Sequence, residues 1–121
     1  MLSPHELGAL FGGLRTTVTV ADEDGRIVFL NDLAAAHYAD RGGRTLVGSN
    51  LNDCHNPASQ RKIHEMYTRY RAGDLSPTRY REEKEDGTAH GIVVIPIVVE
   101  GRFRGIAELM WTEHPEHVFD E

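Results

Sequence analysis

Residues 88–113, TAHGIVVIPIVVEGRFRGIAELMWTE, read as two long strands joined by a tight turn at Glu100-Gly101-Arg102. The first arm carries Ile92, Val93, Val94, Ile95, Ile97, Val98 and Val99 with hardly a polar residue between them. A strand with one wet face alternates polar and apolar residues, so this arm is expected to be covered on both sides. The second arm alternates better, with Ala107, Leu109 and Trp111 on one side and Ile106, Glu108 and Met110 on the other. The hairpin is therefore placed in the middle of an antiparallel sheet. Its Ala107/Leu109/Trp111 face is expected to look toward whatever the domain holds, with Glu108 turned to solvent or to an interface. Pro96 cannot donate to a ladder, and a bulge or unpaired register is expected there.

Outward from this hairpin, the flanking segments are shorter and more polar. Arg79 to Glu85 reads as a charged strand, as suits an edge guarded against pairing with neighbours, and Asp86-Gly87 turns it into the central hairpin. Before it, Asn56 and Pro57 have the form of an N-cap and first residue of a helix running to about Ala72, with Gly73 as its stop. Ile63, Met66, Tyr67 and Tyr70 fall at i, i+3, i+4 and i+7 and give that helix an apolar face to lay on the sheet. Leu46 to Asp53 is expected to be irregular or a single turn. Asn31-Asp32 can cap a short helix, Leu33 to Tyr38, which ends before Gly42-Gly43.

Thr17 to Ala21 and Arg26 to Leu30 alternate as strands about the turn residues Asp22-Glu23-Asp24-Gly25 and form an N-terminal hairpin. Ser3-Pro4-His5-Glu6 has the pattern of a capping box, and Leu7, Leu10, Phe11 and Leu14 follow at helical spacing. Gly8, Gly12 and Gly13 weaken this helix, so it needs a surface to lie on. The second face of the central hairpin, in this chain or in a partner copy, is the candidate. The tail after His114-Pro115 has no partner pattern and is expected to fray.

With 121 residues the chain forms one domain, large enough to bury roughly two-thirds of its unfolded surface without staples. Its net charge of −6 and dispersed basic residues speak against binding nucleic acid or an anionic membrane surface. The lone Cys54 excludes an internal disulfide and fits a reducing compartment. No apolar run approaches the roughly 18 residues of a membrane span, and no export signal is visible, so the cytoplasm is the expected location. No Ser/His/Asp order, paired-carboxylate motif or glycine-rich phosphate loop can be picked out, and the seven histidines have no zinc-site spacing. This points away from an enzyme.

Two strands, short helices, one longer helix and three strands is the order of the PAS domain, and specific residues carry the likeness. VTVADEDGRIVFLND resembles the family's opening hairpin, with its D-x-x-G turn and a second strand ending in Asn. LVGSNLNDCHNPAS resembles its G-x-x-L segment, and EEKEDGTAHGIVVIPIVVEGRFRGIAEL its three closing strands, including the glycine, here Gly105, that begins the last one. CHNPAS more particularly resembles PAS modules with a Cys-His-x-Pro-x-Ser sequence, some found beside haemerythrin-like domains in bacterial proteins. The likeness spans about Arg15 to Glu113, which leaves residues 1–14 as a cap or dimerisation helix, 15–114 as the PAS domain and 115–121 as a tail.

The resemblance implies an α+β fold: a five-stranded antiparallel sheet in the order 2-1-5-4-3, helices over one face and a pocket between. It implies a sensory, signal-transducing and protein-interaction module, with Leu33, His37, Cys54, His55, Ile63, Met66, Tyr67, Ala107, Leu109 and Trp111 as candidate pocket residues. Pairing of two copies is expected through Leu7, Leu10, Phe11, Leu14, Ile106 and Met110. The signal is expected to pass to a downstream protein, or the sequence is a piece of a longer chain. Two alternatives stand beside this. One is a haem sensor or carrier in which His55 or His64 ligates iron; covalent attachment is excluded for want of C-x-x-C-H. The other is a small enzyme using Cys54 and His55, where the bland counterpart is a small buried thiol and a helix-flanking imidazole. Flavin photochemistry is not favoured, since the light-sensing N-C-R-F-L-Q sequence is replaced by Asn52-Asp53-Cys54-His55-Asn56-Pro57.

Overall fold

A computed structural model describes residues 1–120; of the expected tail, Glu121 lies outside the described residues. The capping box forms as its sequence demands: the Ser3 Oγ accepts from the Glu6 amide at 3.1 Å and the Glu6 carboxylate accepts from the Ser3 amide at 3.0 Å, opening helix α1 (Pro4–Gly12). Strands β1 (Thr17–Asp22) and β2 (Ile27–Leu30) follow, then helix α2 (Asp32–His37). Three 3-10 turns, Ala39–Arg41, Gly43–Leu46 and Leu51–Cys54, lead into helix α3 (Pro57–Arg71). Strands β3 (Thr78–Glu83), β4 (Ala89–Val99) and β5 (Arg102–Glu113) close the fold, with a last 3-10 turn at Pro115–His117.

The strands form one antiparallel sheet in the order β2-β1-β5-β4-β3, so the first strand is inserted beside the last and the central hairpin sits in the interior. The hairpin turns on two residues, Glu100 and Gly101, with φ of 52° and 78°. Positive φ at both central positions gives the twist that strand pairs need, and Gly101 adopts it without strain. Pro96 keeps its register opposite Ile106, and the irregularity falls between Ile97 and Val98 instead. β3 reaches only as far as Val94, so Pro96 lies where β4 has a neighbour on one side and a missing donor is tolerated. At the other end of the turn Gly105 has φ of 152°, and a Cβ there would stand 2.2 Å from the Ala21 carbonyl oxygen. Only glycine lets β5 approach β1 so closely.

The core lies between α3 and one face of the sheet. Met66, Tyr67 and Tyr70 of α3 pack on Ala21, Ile27, Leu30, Val94 and Ile106. Both tyrosines keep their hydroxyls bonded inside: Tyr67 donates to the Asp22 carbonyl at 2.8 Å, and Tyr70 lies 2.7 Å from the Thr78 hydroxyl. Asn31 is buried and fully used. Its Oδ1 accepts from the amides of Val18 (3.0 Å) and Ala34 (2.9 Å), and its Nδ2 donates to the carbonyls of Leu14 (3.2 Å) and Thr16 (2.7 Å). That one side chain caps α2 and ties it to the chain leaving α1.

The register overturns one expectation about the central hairpin. Ile106 pairs with Ala21 and is 3% exposed in the core, and Glu108 pairs with Thr19 and Val94 on the same face, so Ile106, Glu108 and Met110 look toward the helices. Ala107 and Leu109 look the other way, onto Val18, Val20, Phe29 and Ile95 beneath Phe11 and Leu14. Alternation identifies two faces without saying which one meets the helices, and each face of β5 is apolar enough to be chosen.

Candidate functional site

Between the sheet and the turns that precede α3 lies a partly open cavity of about 130 Å³. Ile27, Leu30, Leu46 and Leu51 supply its apolar wall; Thr19, Tyr38, Arg41, Cys54, His55 and Glu108 supply its polar one. A wider groove of about 550 Å³ opens from it between α3 and β3–β5, sharing Tyr38, Arg41, His55 and Glu108 and adding Lys62, Ile63, Met66 and Tyr80. The two together make a mouth and a pocket separated by polar side chains.

Each polar group arrives there for a local reason. Glu108 is fixed at mid-strand between two neighbours, and its remaining surface opens on the cavity. Burial raises its carboxyl above the ordinary range, and the nearby His55 offsets part of that rise. Tyr38, just beyond α2, is pushed up to about 12, first by burial and then by the charge of Glu108, while the Thr19 hydroxyl beside it pulls the other way. His55 ends the third 3-10 turn, and its Nδ1 lies 2.6 Å from the Leu51 carbonyl oxygen. A carbonyl only accepts, so Nδ1 carries a proton and Nε2 is the ring nitrogen left for another partner. Gln60 holds the same turn from α3 through the carbonyls of Asn52 (2.8 Å) and His55 (2.9 Å).

Of the candidates read from sequence, the structure brings Cys54 and His55 to the inner cavity and Ile63 and Met66 to the groove. His37 borders the groove and also a shallow cleft at the end of the sheet, where it meets Leu33, Trp111 and Met110. Trp111 is drawn to that end because its indole takes the place a Cβ on Gly91 would fill. Tyr67 is spent in the core. Ala107 and Leu109 belong to the opposite sheet face and cannot line the cavity. Of the residues expected at a dimer contact, Leu7, Leu10, Phe11 and Leu14 are 40–59% exposed, whereas Ile106 is buried and Met110 faces the groove. The cavity residues that sequence reasoning passed over are Thr19, Ile27, Leu30, Tyr38, Arg41, Leu46, Leu51 and above all Glu108. A lone carboxylate between Ile106 and Met110 in a strand bound on both sides was the available signal.

The inner cavity, at about 130 Å³, falls well short of the ~300–1,000 Å³ of cofactor pockets, whereas the groove outside it, at about 550 Å³ and bordered by His55, lies within that range. His64 borders a separate polar cleft with Asp24, Asn50 and Arg71. Among the described residues, no three His, Cys, Asp or Glu side chains gather into a metal-binding group, and no helix is long and apolar enough to cross a membrane.

No family model and no curated protein matches the sequence. Solved structures do match the fold. The C-terminal domain of a protein from Streptococcus mutans superposes with a TM-score of 0.75 at 21% identity, covering 90% of this chain and 84% of that one. The PAS domain of BvgS from Bordetella pertussis gives 0.62 at 23% identity, covering 91% and 87%. The Aer2 receptor of Vibrio cholerae, a dual PAS-haem oxygen sensor, gives 0.59 at 18% identity, covering 85% and 97%. The sheet order, the inserted first strand and these superpositions agree: the chain has the fold of a PAS domain.

Proposed function

We propose that this chain is a sensory PAS module that binds a small molecule in the inner cavity and passes the change to a partner protein, a second copy included. The observation that carries the reading is the cavity itself: a recess with an aliphatic wall and a carboxyl, an imidazole and a phenol in its lining, opening to a wider groove. Polar groups are costly to bury unless something meets them, and convergent ones in an apolar hollow are the usual signature of a binding site. A ligand there alters signalling by favouring one arrangement of the turns and helices over another.

Dimerisation through the uncovered sheet face is part of the same proposal. α1 leaves Leu7 and Leu10 largely in water, and Ile95, Val98 and Val99 nearby are also exposed. Contiguous apolar surface of this kind is normally buried against protein. The module is taken as a binder and not an enzyme, because His55 is oriented by a carbonyl of its own turn and Cys54 has no built activating partner beyond it.

Native mass spectrometry of the freshly purified chain tests both halves. A retained small molecule and a dimeric mass are expected; an apo monomer at all concentrations would remove the proposal. Haem added to the same sample is expected to produce no Soret band.

A further inference from the structure

The chemistry of the inner cavity narrows what it takes. Glu108 has no hydrogen-bond donor to its carboxyl among the described residues, although burial penalises its charge. The imidazole of His55 lines the same wall, its Nδ1 held by the Leu51 carbonyl, as do the hydroxyls of Thr19 and Tyr38. Glu108 is the one acidic side chain in the cavity lining. Of the cationic side chains, Arg41 borders both the cavity and the groove with its side chain largely in water, and Lys62 lies in the groove alone, its ammonium 5.9 Å from the Tyr80 ring.

We propose that the inner cavity is a site for a small aliphatic amine, its ammonium group paired with Glu108 and its hydrocarbon body against Ile27, Leu30, Leu46 and Leu51. The proposal rests on the ligand-binding reading above. The size agrees, because a cavity of about 150 Å³ takes a molecule as large as benzene and this one measures about 130 Å³. An amine that also carries a carboxylate would leave that group at Arg41 and Lys62. A carboxylic acid of the same size would set a second carboxyl against that of Glu108.

Calorimetry of the whole chain with isobutylamine, isobutyrate and isobutanol, three molecules of one shape and different charge, tests the assignment. The amine is expected to bind at least tenfold more tightly than isobutyrate, and Glu108→Gln is expected to remove that preference while leaving isobutanol unchanged. Leu46→Phe, which fills the cavity from its apolar wall, is expected to weaken all three. Isobutyrate binding as well as the amine, or an amine affinity untouched by Glu108→Gln, overturns the assignment while leaving a cavity that binds. If none of the three binds and native mass spectrometry finds no retained molecule, the ligand-binding reading falls with it.

Discussion

The two faces of the sheet are built on opposite terms. The face under α3 and the turns carries Thr19 and Glu108 among its aliphatic residues and is covered by the tyrosines Tyr38, Tyr67 and Tyr70. The face under α1 carries Val18, Val20, Phe29, Ile95, Ala107 and Leu109, hydrocarbon throughout, yet its cover is one nine-residue helix that leaves an apolar hollow of about 460 Å³. The more polar side is the better enclosed. Polarity inside a fold marks a place where water has been displaced in favour of specific partners, and apolarity outside marks a surface whose partner is another protein element.

Four substitutions break or sharpen that contrast, and the largest effect belongs to the seam both faces share. Gly105→Val puts a branched side chain against the Ala21 carbonyl and is expected to cost about 4 kcal/mol or more, seen as loss of a cooperative urea transition. Asn31→Ala removes a helix cap and three other bonds to buried backbone, for a loss of about 3 kcal/mol in the same assay. The faces themselves are compared by Ile106→Ala and Leu109→Ala. The first empties a core position and is expected to cost about 3 kcal/mol. The second is expected to cost about 1 kcal/mol, because the site is only half-buried, and to shift the chain toward monomer in sedimentation. Equal costs with no change in sedimentation would erase the distinction.

The smallest effect has the opposite sign. Burial raises the Glu108 carboxyl, so the folded state holds that proton more tightly than the unfolded chain. Its contribution is therefore most favourable below the unfolded value of roughly 4.3, declines as pH rises toward the raised folded value, and is a full penalty above it. Glu108→Gln is expected to stabilise the apo protein by about 1 kcal/mol at pH 7 and to flatten that stretch of the pH–stability curve. The groups that share its surroundings, His55, Cys54, Tyr38 and Arg41, are left in place.

Most of the architecture was legible because it is decided locally. The capping box at Ser3, the cap and proline at Asn56-Pro57 and the Gly101 turn each announce themselves within four residues. The 3-10 turns were not legible, since what fixes them is distant: the Gly48 amide donates to the Ile27 carbonyl, the Ile27 amide to the Ser49 carbonyl, and Arg26 bridges to Asn50. The candidate site failed at the same level. In β5, residues 106, 108 and 110 and residues 107, 109 and 111 each offer two large apolar side chains, and preferring the set without a charge inverted the sheet. Thr17 and Thr19 on β1 would have reversed the choice only for a reader willing to put hydroxyls inside.

Asn31 has a mechanical corollary. A single amide group grips the peptide that exits α1, through Leu14 and Thr16, and also the first turn of α2, whose far end delivers Tyr38 to the cavity. Tilting α1 rotates that amide, and the oxygen on its other side must follow or let go of Val18 and Ala34. The segments on the two sides of the sheet thus hang on one amide group.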